Sequence, residues 1–396
     1  MTLGNGRHYL AIPGPSVMPD RVLQAMHRAA PNIYEGSLID MMPGLIGDLK
    51  AVARTKAHVA IYIANGHGAW EAALANTHQR GDRVLVLANG RFAYGWSEMA
   101  AALGVDCEIL DFGKTASVDL DRVVEALNGD KEHCFTSVLM THVDTSSSVK
   151  NDVLAVRQAM DSTGHPALLM VDCIASLACD RFEMDAWGVD LIVAACQKGL
   201  MTPPAMAFVY FNEKAEELGK SVPVSSYWDW GPRVYPADFY QYFCGTAPTH
   251  HLFGLREALN MINEEGLEQV WTRHEKLASA VWAACEAWGA EDVIALNVPV
   301  AAQRSCAVTT VNAGGPVGTD LRRWVEANGG LTLGIGLGMS MDHRSSDQYF
   351  RIGHMGHVNS HMVLGALGVI EAGLKALNVP YGTGALSAAA QICCDV

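Results

Sequence analysis

Short, wholly apolar runs that alternate with longer amphipathic stretches constrain this chain more than any other feature. Val84-Leu85-Val86-Leu87, Ser137-Val138-Leu139-Met140, Leu168-Leu169-Met170-Val171 and Leu191-Ile192-Val193-Ala194 are separated by helical stretches of ten or more residues. A strand with no polar side must be covered on both faces. The pattern therefore predicts an α/β fold, a mostly parallel sheet between two layers of helices. Before it, residues 1–16 form an arm ending in Pro13-Gly14-Pro15, and a helix is expected from Pro19, whose fixed φ suits a first turn. After Phe211 the rhythm weakens through Tyr227-Trp228-Asp229-Trp230, and a long helical pattern from His250 to about Trp288 is read as a link between two domains. From Ser305 to about Leu377 strands and helices alternate on a smaller scale, as in a compact α+β unit. The expected divisions are an arm at 1–16, a large domain at 17–265, a small C-terminal domain at 266–380 and a small-residue tail at 381–396.

Length supports two domains, since 396 residues exceed the roughly 250 to 300 at which a single core stops growing. The charge balance narrows the partners. With 28 Lys and Arg against 42 Asp and Glu, the net charge is -14, and no basic cluster interrupts it. A nucleic-acid or anionic-membrane surface is thereby disfavoured, and small molecules are expected instead. No apolar run reaches the roughly 18 residues of a membrane span, and the first residues lack a signal-peptide core, so a cytoplasmic location is expected. The ten cysteines are scattered without CxxC pairs. Most read as buried small hydrophobes and the adjacent Cys393 and Cys394 as an incidental exposed pair, and no metal site is expected.

Four segments carry candidate chemistry, each expected where an apolar strand ends, which is where doubly wound sheets bind ligands. Met170-Val171-Asp172 ends a buried strand in a carboxylate, and Lys198, 26 residues on, follows the next strand. Pyridoxal phosphate needs such a pair: a lysine to form a Schiff base, and an acid that keeps the pyridine nitrogen protonated. Lys198 lies between apolar Ile192-Val193-Ala194-Ala195 and Leu200-Met201, so partial desolvation should lower its pKa from about 10.4 toward the range useful for amine chemistry. An isolated lysine after a strand is usually a solvated surface group. The company of Asp172 and of Asn65-Gly66-His67-Gly68, glycines opening a helix whose free amides suit a phosphate, reverses that expectation. The fourth segment is Arg351, whose guanidinium fork fits a substrate carboxylate, though a surface ion pair explains its spacing equally well.

The ordered motifs PGP at 13–15, NGHGAWEAALANT at 65–77, ANGRF at 88–92, THVDTSS at 141–147, VDCIASL at 171–177, QKG at 197–199, GLREAL at 254–259, GLEQVWTRH at 266–274 and RIGHMG at 351–356 run along nearly the whole chain. In them it resembles the alanine-glyoxylate and serine-glyoxylate branch of the class V aminotransferases. That resemblance implies the fold type I architecture of pyridoxal-phosphate enzymes, with a mostly parallel seven-stranded sheet in the large domain. It implies that Asn65, Gly66 and His67 hold the cofactor phosphate with Gln197 as a further donor. Phe92 would stack on the pyridine ring, Ile174 would close its other face, and Thr145 and Asp172 would hydrogen-bond it. Tyr242 and Thr246 would complete the phosphate site of a neighbouring subunit, making the protein a homodimer. The implied reaction is a ping-pong transfer of an amino group from a small amino acid, serine or alanine first, to a small 2-oxo acid such as glyoxylate or pyruvate, with Lys198 as proton carrier.

Several positions depart from the family pattern. Tyr34 matches a substrate-contacting tyrosine, but Glu35 stands where an arginine is usual, which predicts poor use of aspartate by charge repulsion. Asp144 replaces a glutamate, Ser148 a glycine, and Ala195-Cys196 the usual Gly-Ser. Three other readings stay open. His142-Val143-Asp144-Thr145 and RIGHMG also resemble pyridoxamine-pyruvate aminotransferase, which binds no phosphate, whereas the intact Gly66-His67-Gly68 turn favours a phosphate-bearing cofactor. A lyase on the same scaffold lacks a recognisable catalytic cysteine loop here. A non-enzymatic binding protein would be expected to lose Lys198 or Asp172, and both are present.

Overall fold

A computed structural model describes residues 2–340 and 346–394; residues 395 and 396 of the expected tail lie outside them. The large sheet has seven strands, ordered His58–Ile63, Met206–Phe211, Leu191–Ala195, Leu168–Asp172, Phe135–Thr141, Arg83–Ala88 and Asp106–Asp111. All neighbours pair in parallel except Met206–Phe211, which runs antiparallel to both strands beside it. Each of the four apolar runs lies in a strand, and Leu168–Asp172 and Leu191–Ala195 are buried at every position.

Alternate side chains of these strands enter two different cores, as the twofold strand period requires. Leu85, Leu87, Val138, Met140, Leu169, Val171, Ile192 and Ala194 face one, with Leu45 and Leu49 of one helix and Leu252, Leu255 and Leu259 of another. Val84, Val86, Leu139, Met170, Leu191 and Val193 face the other, against Trp70, Ala73 and Leu74 of the helix Gly66–Thr77 and Trp96 and Ala100 of Arg91–Ala102.

A second sheet of five strands is ordered Tyr9–Ala11, Leu331–Ile335, Tyr349–Gly353, Val308–Asn312 and Ala295–Leu296. Its first strand comes from the N-terminal arm and pairs in parallel with Leu331–Ile335. The arm is therefore built into the smaller layer, and its next residues, Pro13-Gly14-Pro15, are carried toward the carboxyl edge of the large sheet. One expectation changes. The helical pattern from His250 to Trp288 is two helices, Thr249–Glu265 and Leu267–Trp288, broken at Gly266, whose φ of 86° is one that few other residues adopt. Within the small-residue tail, Ala385–Cys394 is helical, with Ala385 and Ala389 in the core that Leu277, Val281 and Trp288 also build. Among the described residues no helix is long and apolar enough to cross a membrane.

Candidate active site

Lys198 sits in the turn after Leu191–Ala195. That turn is tied to the arm: Ser16 N donates to the Gln197 carbonyl at 2.9 Å, Ser16 Oγ donates to the Lys198 carbonyl at 2.7 Å, and Lys198 Nζ donates to the Pro13 carbonyl. Two glycines make the close approach possible. A Cβ on Gly14, whose φ is +96°, would lie 2.5 Å from Lys198 Nζ, and one on Gly199 would lie 2.1 Å from the Leu177 carbonyl oxygen. Part of the lysine surface remains accessible, as meeting a substrate requires. Burial pushes its ammonium down to about 8, Arg351 pushes the same way, and Asp172 opposes them.

Asp172 is the last residue of its strand and is buried. Its Oδ2 accepts from Trp70 Nε1 at 2.9 Å and its Oδ1 from Ile174 N at 2.7 Å. Burial raises the carboxyl to about 7 even against those two donors and Lys198, with Asp144 adding to the rise.

Asn65 caps the helix Gly66–Thr77, its Oδ1 accepting from His67 N at 3.1 Å and Gly68 N at 3.4 Å. The His67 ring packs 4.7 Å from that of Trp70, and burial, then Arg91, holds its pKa down. Ile174 lies against the helix start, where a Cβ on Gly66 would come within 2.5 Å of its Cδ1. Phe92 meets the Trp70 ring edge-on at 6.2 Å.

Arg351 does not end a strand as expected; it is the middle residue of Tyr349–Gly353, and it is buried. From there it reaches across layers, Nε donating to the Ile335 carbonyl at 2.6 Å and Nη1 to the Thr145 carbonyl at 2.8 Å. Both partners are neutral, and among the described residues no carboxylate pairs with it. Burial lowers the guanidinium to about 10, Asp144 opposing and Arg322 adding to the fall. A buried cation without an anion is costly unless something supplies one.

The structure thus gathers Lys198, Gln197, Asp172, Ile174, the Asn65-Gly66-His67 turn, Phe92, Thr145 and Arg351 around the carboxyl edge of the large sheet. It does not gather the rest within one chain. Tyr34 is 84% exposed and the exposed Glu35 accepts from Asn32 Nδ2 at 3.3 Å. Tyr242 packs with Phe239 and Phe243, and Thr246 is exposed.

The roles of two residues went unread in the sequence. Trp70 fixes Asp172, and its signal was a single large side chain with a donor in a helix otherwise lined with alanine. Asp144 caps the helix Arg91–Ala102, accepting from Phe92 N at 2.8 Å and Ala93 N at 3.3 Å, and its other oxygen accepts from Ser146 N at 2.9 Å. Its signal was the Asp-Thr-Ser-Ser turn pattern. Asp144 is thus a fixed support for Phe92, and Gly90 makes room for it, since a Cβ there would lie 2.2 Å from the carboxylate.

These residues fit pyridoxal phosphate: a lysine amine near neutrality, a buried carboxylate with only two donors on it, a glycine-opened helix start, and an aromatic and an aliphatic side chain beside them. Comparisons with known proteins agree. The model of the family "Aminotransferase class-V" matches residues 48–362. A serine–glyoxylate aminotransferase of Methylorubrum extorquens is 34% identical, the match covering 98% of this chain and 96% of that one. An L-aspartate–glyoxylate aminotransferase of Paracoccus denitrificans is also 34% identical, over 96% and 94%. The crystal structure of pyridoxamine-pyruvate aminotransferase from Mesorhizobium loti superimposes with a TM-score of 0.88 over 99% of both chains at 22% identity, a likeness of fold.

Proposed function

The chain belongs to the class-V aminotransferases and uses pyridoxal phosphate, and from that premise we propose that it moves an amino group from serine or alanine to glyoxylate or pyruvate in two alternating half-reactions. The observation that carries this reading is Arg351, a buried cation that no described carboxylate pairs with, electrostatically coupled to a lysine amine whose pKa is lowered to about 8.

Bound pyridoxal phosphate supplies a carbonyl that takes up the amino group and a protonated ring that accepts electrons. The chain's own residues do the rest. Asn65, Gly66, His67 and Gln197 hold the phosphate, Phe92 and Ile174 flank the ring, and Thr145 and Asp172 orient it. An ionised Asp172 beside the protonated ring nitrogen offsets the charge that burial would otherwise disfavour. Lys198, with its proton affinity lowered, would take the proton from the substrate α-carbon and give it to the carbon that bears the cofactor's carbonyl, and would run the two transfers in the opposite order for the oxo acid. Arg351 receives the α-carboxylate on the face its two carbonyl bonds leave free.

Tyr242, Thr246, Tyr34 and Glu35 reach a site only if a second copy presents them, so the working form in this reading is a homodimer with shared sites. The exposure of Tyr34 and Thr246 supports it. Cys173, Cys179, Cys196, Cys285 and Cys306 are buried thiols, which supports a reducing, cytoplasmic compartment.

The test is the visible absorbance of the purified protein titrated with amino acids. Serine or alanine should bleach the cofactor band and glyoxylate or pyruvate should restore it; turnover of free pyridoxamine instead would replace this reading with that of pyridoxamine-pyruvate aminotransferase. Arg351→Gln should raise the KM of the amino donor about 10- to 100-fold with a smaller change in kcat, since a charge-assisted hydrogen bond contributes about 1.5–3 kcal/mol. An unchanged KM in steady-state kinetics would remove Arg351 from carboxylate binding.

A further inference from the structure

Beside Arg351 lies a cavity of about 340 Å³, near the lower end of small-ligand sites. Its walls are the arm at Ile12, Pro13 and Gly14, the strand residues Gly334 and Ile335, Arg351 itself, and Arg322, Arg323 and Glu326 on the helix Val317–Gly329. The arm connects it to the reacting centre, because Pro13 is the residue whose carbonyl holds Lys198 Nζ and Gly14 abuts that same atom.

Three arginines against one glutamate give the lining an excess of two positive charges, and the order of burial matters. Arg351 is buried, Arg322 is partly buried, and Arg323 and Glu326 are exposed at the outer end. Arg322 is close enough to Arg351 to depress it. Its Nε is buried and has no acceptor among the described residues, and Asp347 and Glu326 act on it without closing an ion pair. Glu326 is itself engaged, accepting from Thr332 Oγ1 at 3.1 Å. Two neighbouring guanidinium groups in one small cavity, neither in an ion pair with a described carboxylate, call for a ligand with two anionic groups, because each otherwise bears the cost of desolvation and of the other's charge.

We propose that Arg322 is a specificity-determining residue, forming with Arg351 a two-pronged site for dicarboxylic amino and oxo acids. The proposal rests on the transaminase reading above and extends its donor range. Arg351 takes the α-carboxylate and Arg322 the distal one. The expectation drawn from Glu35 points the other way: in the homodimer reading that residue enters a site from the second copy, whereas Arg322 lines the cavity next to the carboxylate site of its own chain, and the aspartate-to-alanine ratio decides between them.

The experiment uses the holoenzyme, with alanine and aspartate as donors and succinate and acetate as non-reacting probes. Succinate should bind more tightly than acetate in calorimetry and should compete with the amino donor. In Arg322→Gln the ratio of kcat/KM for aspartate to that for alanine should fall about 10-fold or more, the equivalent of one lost charge-assisted hydrogen bond. Arg322→Lys should recover part of that loss, a point charge without the fork. An aspartate-to-alanine ratio that Arg322→Gln leaves unmoved overturns the proposal. Should that variant not fold, wild-type protein decides: succinate binding no tighter than acetate overturns it too. Failure of every amino acid to bleach the cofactor band would refute the transaminase reading instead, and the succinate comparison would still decide the cavity.

Discussion

Lys198→Ala is expected to lower kcat by about 10⁴-fold or more while leaving the fold intact. Proton transfer by a positioned group typically contributes about 10² to 10⁴, and in the proposed mechanism this residue also anchors the cofactor. The structural loss is small: one bond to the Pro13 carbonyl disappears, and so does the cost of burying an ammonium, so the melting temperature should move little. Visible absorbance and single-turnover kinetics check the prediction, and a variant that kept both the cofactor band and the rate would refute the assignment of Lys198. Lys198→Arg should be no better, because a guanidinium stays protonated where an amine held near 8 does not. The same lowered pKa gives a pH dependence. Only the neutral amine attacks a carbonyl, and a pKa of about 8 means that this form grows as pH rises through 8. Cofactor uptake by cofactor-free protein should therefore accelerate with pH through that value rather than near the ordinary lysine range.

Much of this site was legible because it is local. The apolar runs had to be central strands, since nothing polar interrupts them, and the residues that follow such strands had to face a common edge. Asn65, Asp172 and Lys198 follow from that reasoning, and Asn65 does cap its helix as the glycines around it suggested. What stayed hidden is carried by contacts far apart in sequence. Trp70 meets Asp172 across 102 residues, Phe92 meets Asp144 across 52, and Lys198 meets Pro13 across 185. No periodicity encodes such pairs. Arg351 was found for its chemistry but misplaced, because a five-residue strand gives no sign of which position faces a neighbouring layer. Gly266 broke a helix whose hydrophobic period runs on through it, its positive φ overriding the pattern. Tyr34, Glu35, Tyr242 and Thr246 are of another kind: the chain by itself does not place them at Lys198, and the roles proposed for them require a second copy.

Asp172→Asn should lower kcat by about 10³-fold, the loss expected when a preorganised electrostatic partner is removed. The two side chains have nearly the same shape, so the effect isolates charge and polarity. In the wild type both carboxylate oxygens accept, one from Trp70 Nε1 and one from Ile174 N. An asparagine amide has one accepting oxygen, so its NH₂ must face one of those donors, leaving a buried clash of donors as well as a neutral group beside the ring nitrogen. Trp70→Phe separates these contributions, for it keeps an aromatic ring against His67 and removes only the Nε1 donor. That donor holds the Asp172 carboxyl down against burial, so losing it should move the pKa upward from about 7 and protonate more of the carboxyl at neutral pH. The wild-type ionised form is present above the pKa and lost below it. Activity of Trp70→Phe should therefore fall most on the acid side and recover toward alkaline pH, whereas Asp172→Asn should be depressed at every pH. A uniform loss in Trp70→Phe would mean that the tryptophan supports packing alone, and a pH–rate profile of the two variants tells these cases apart.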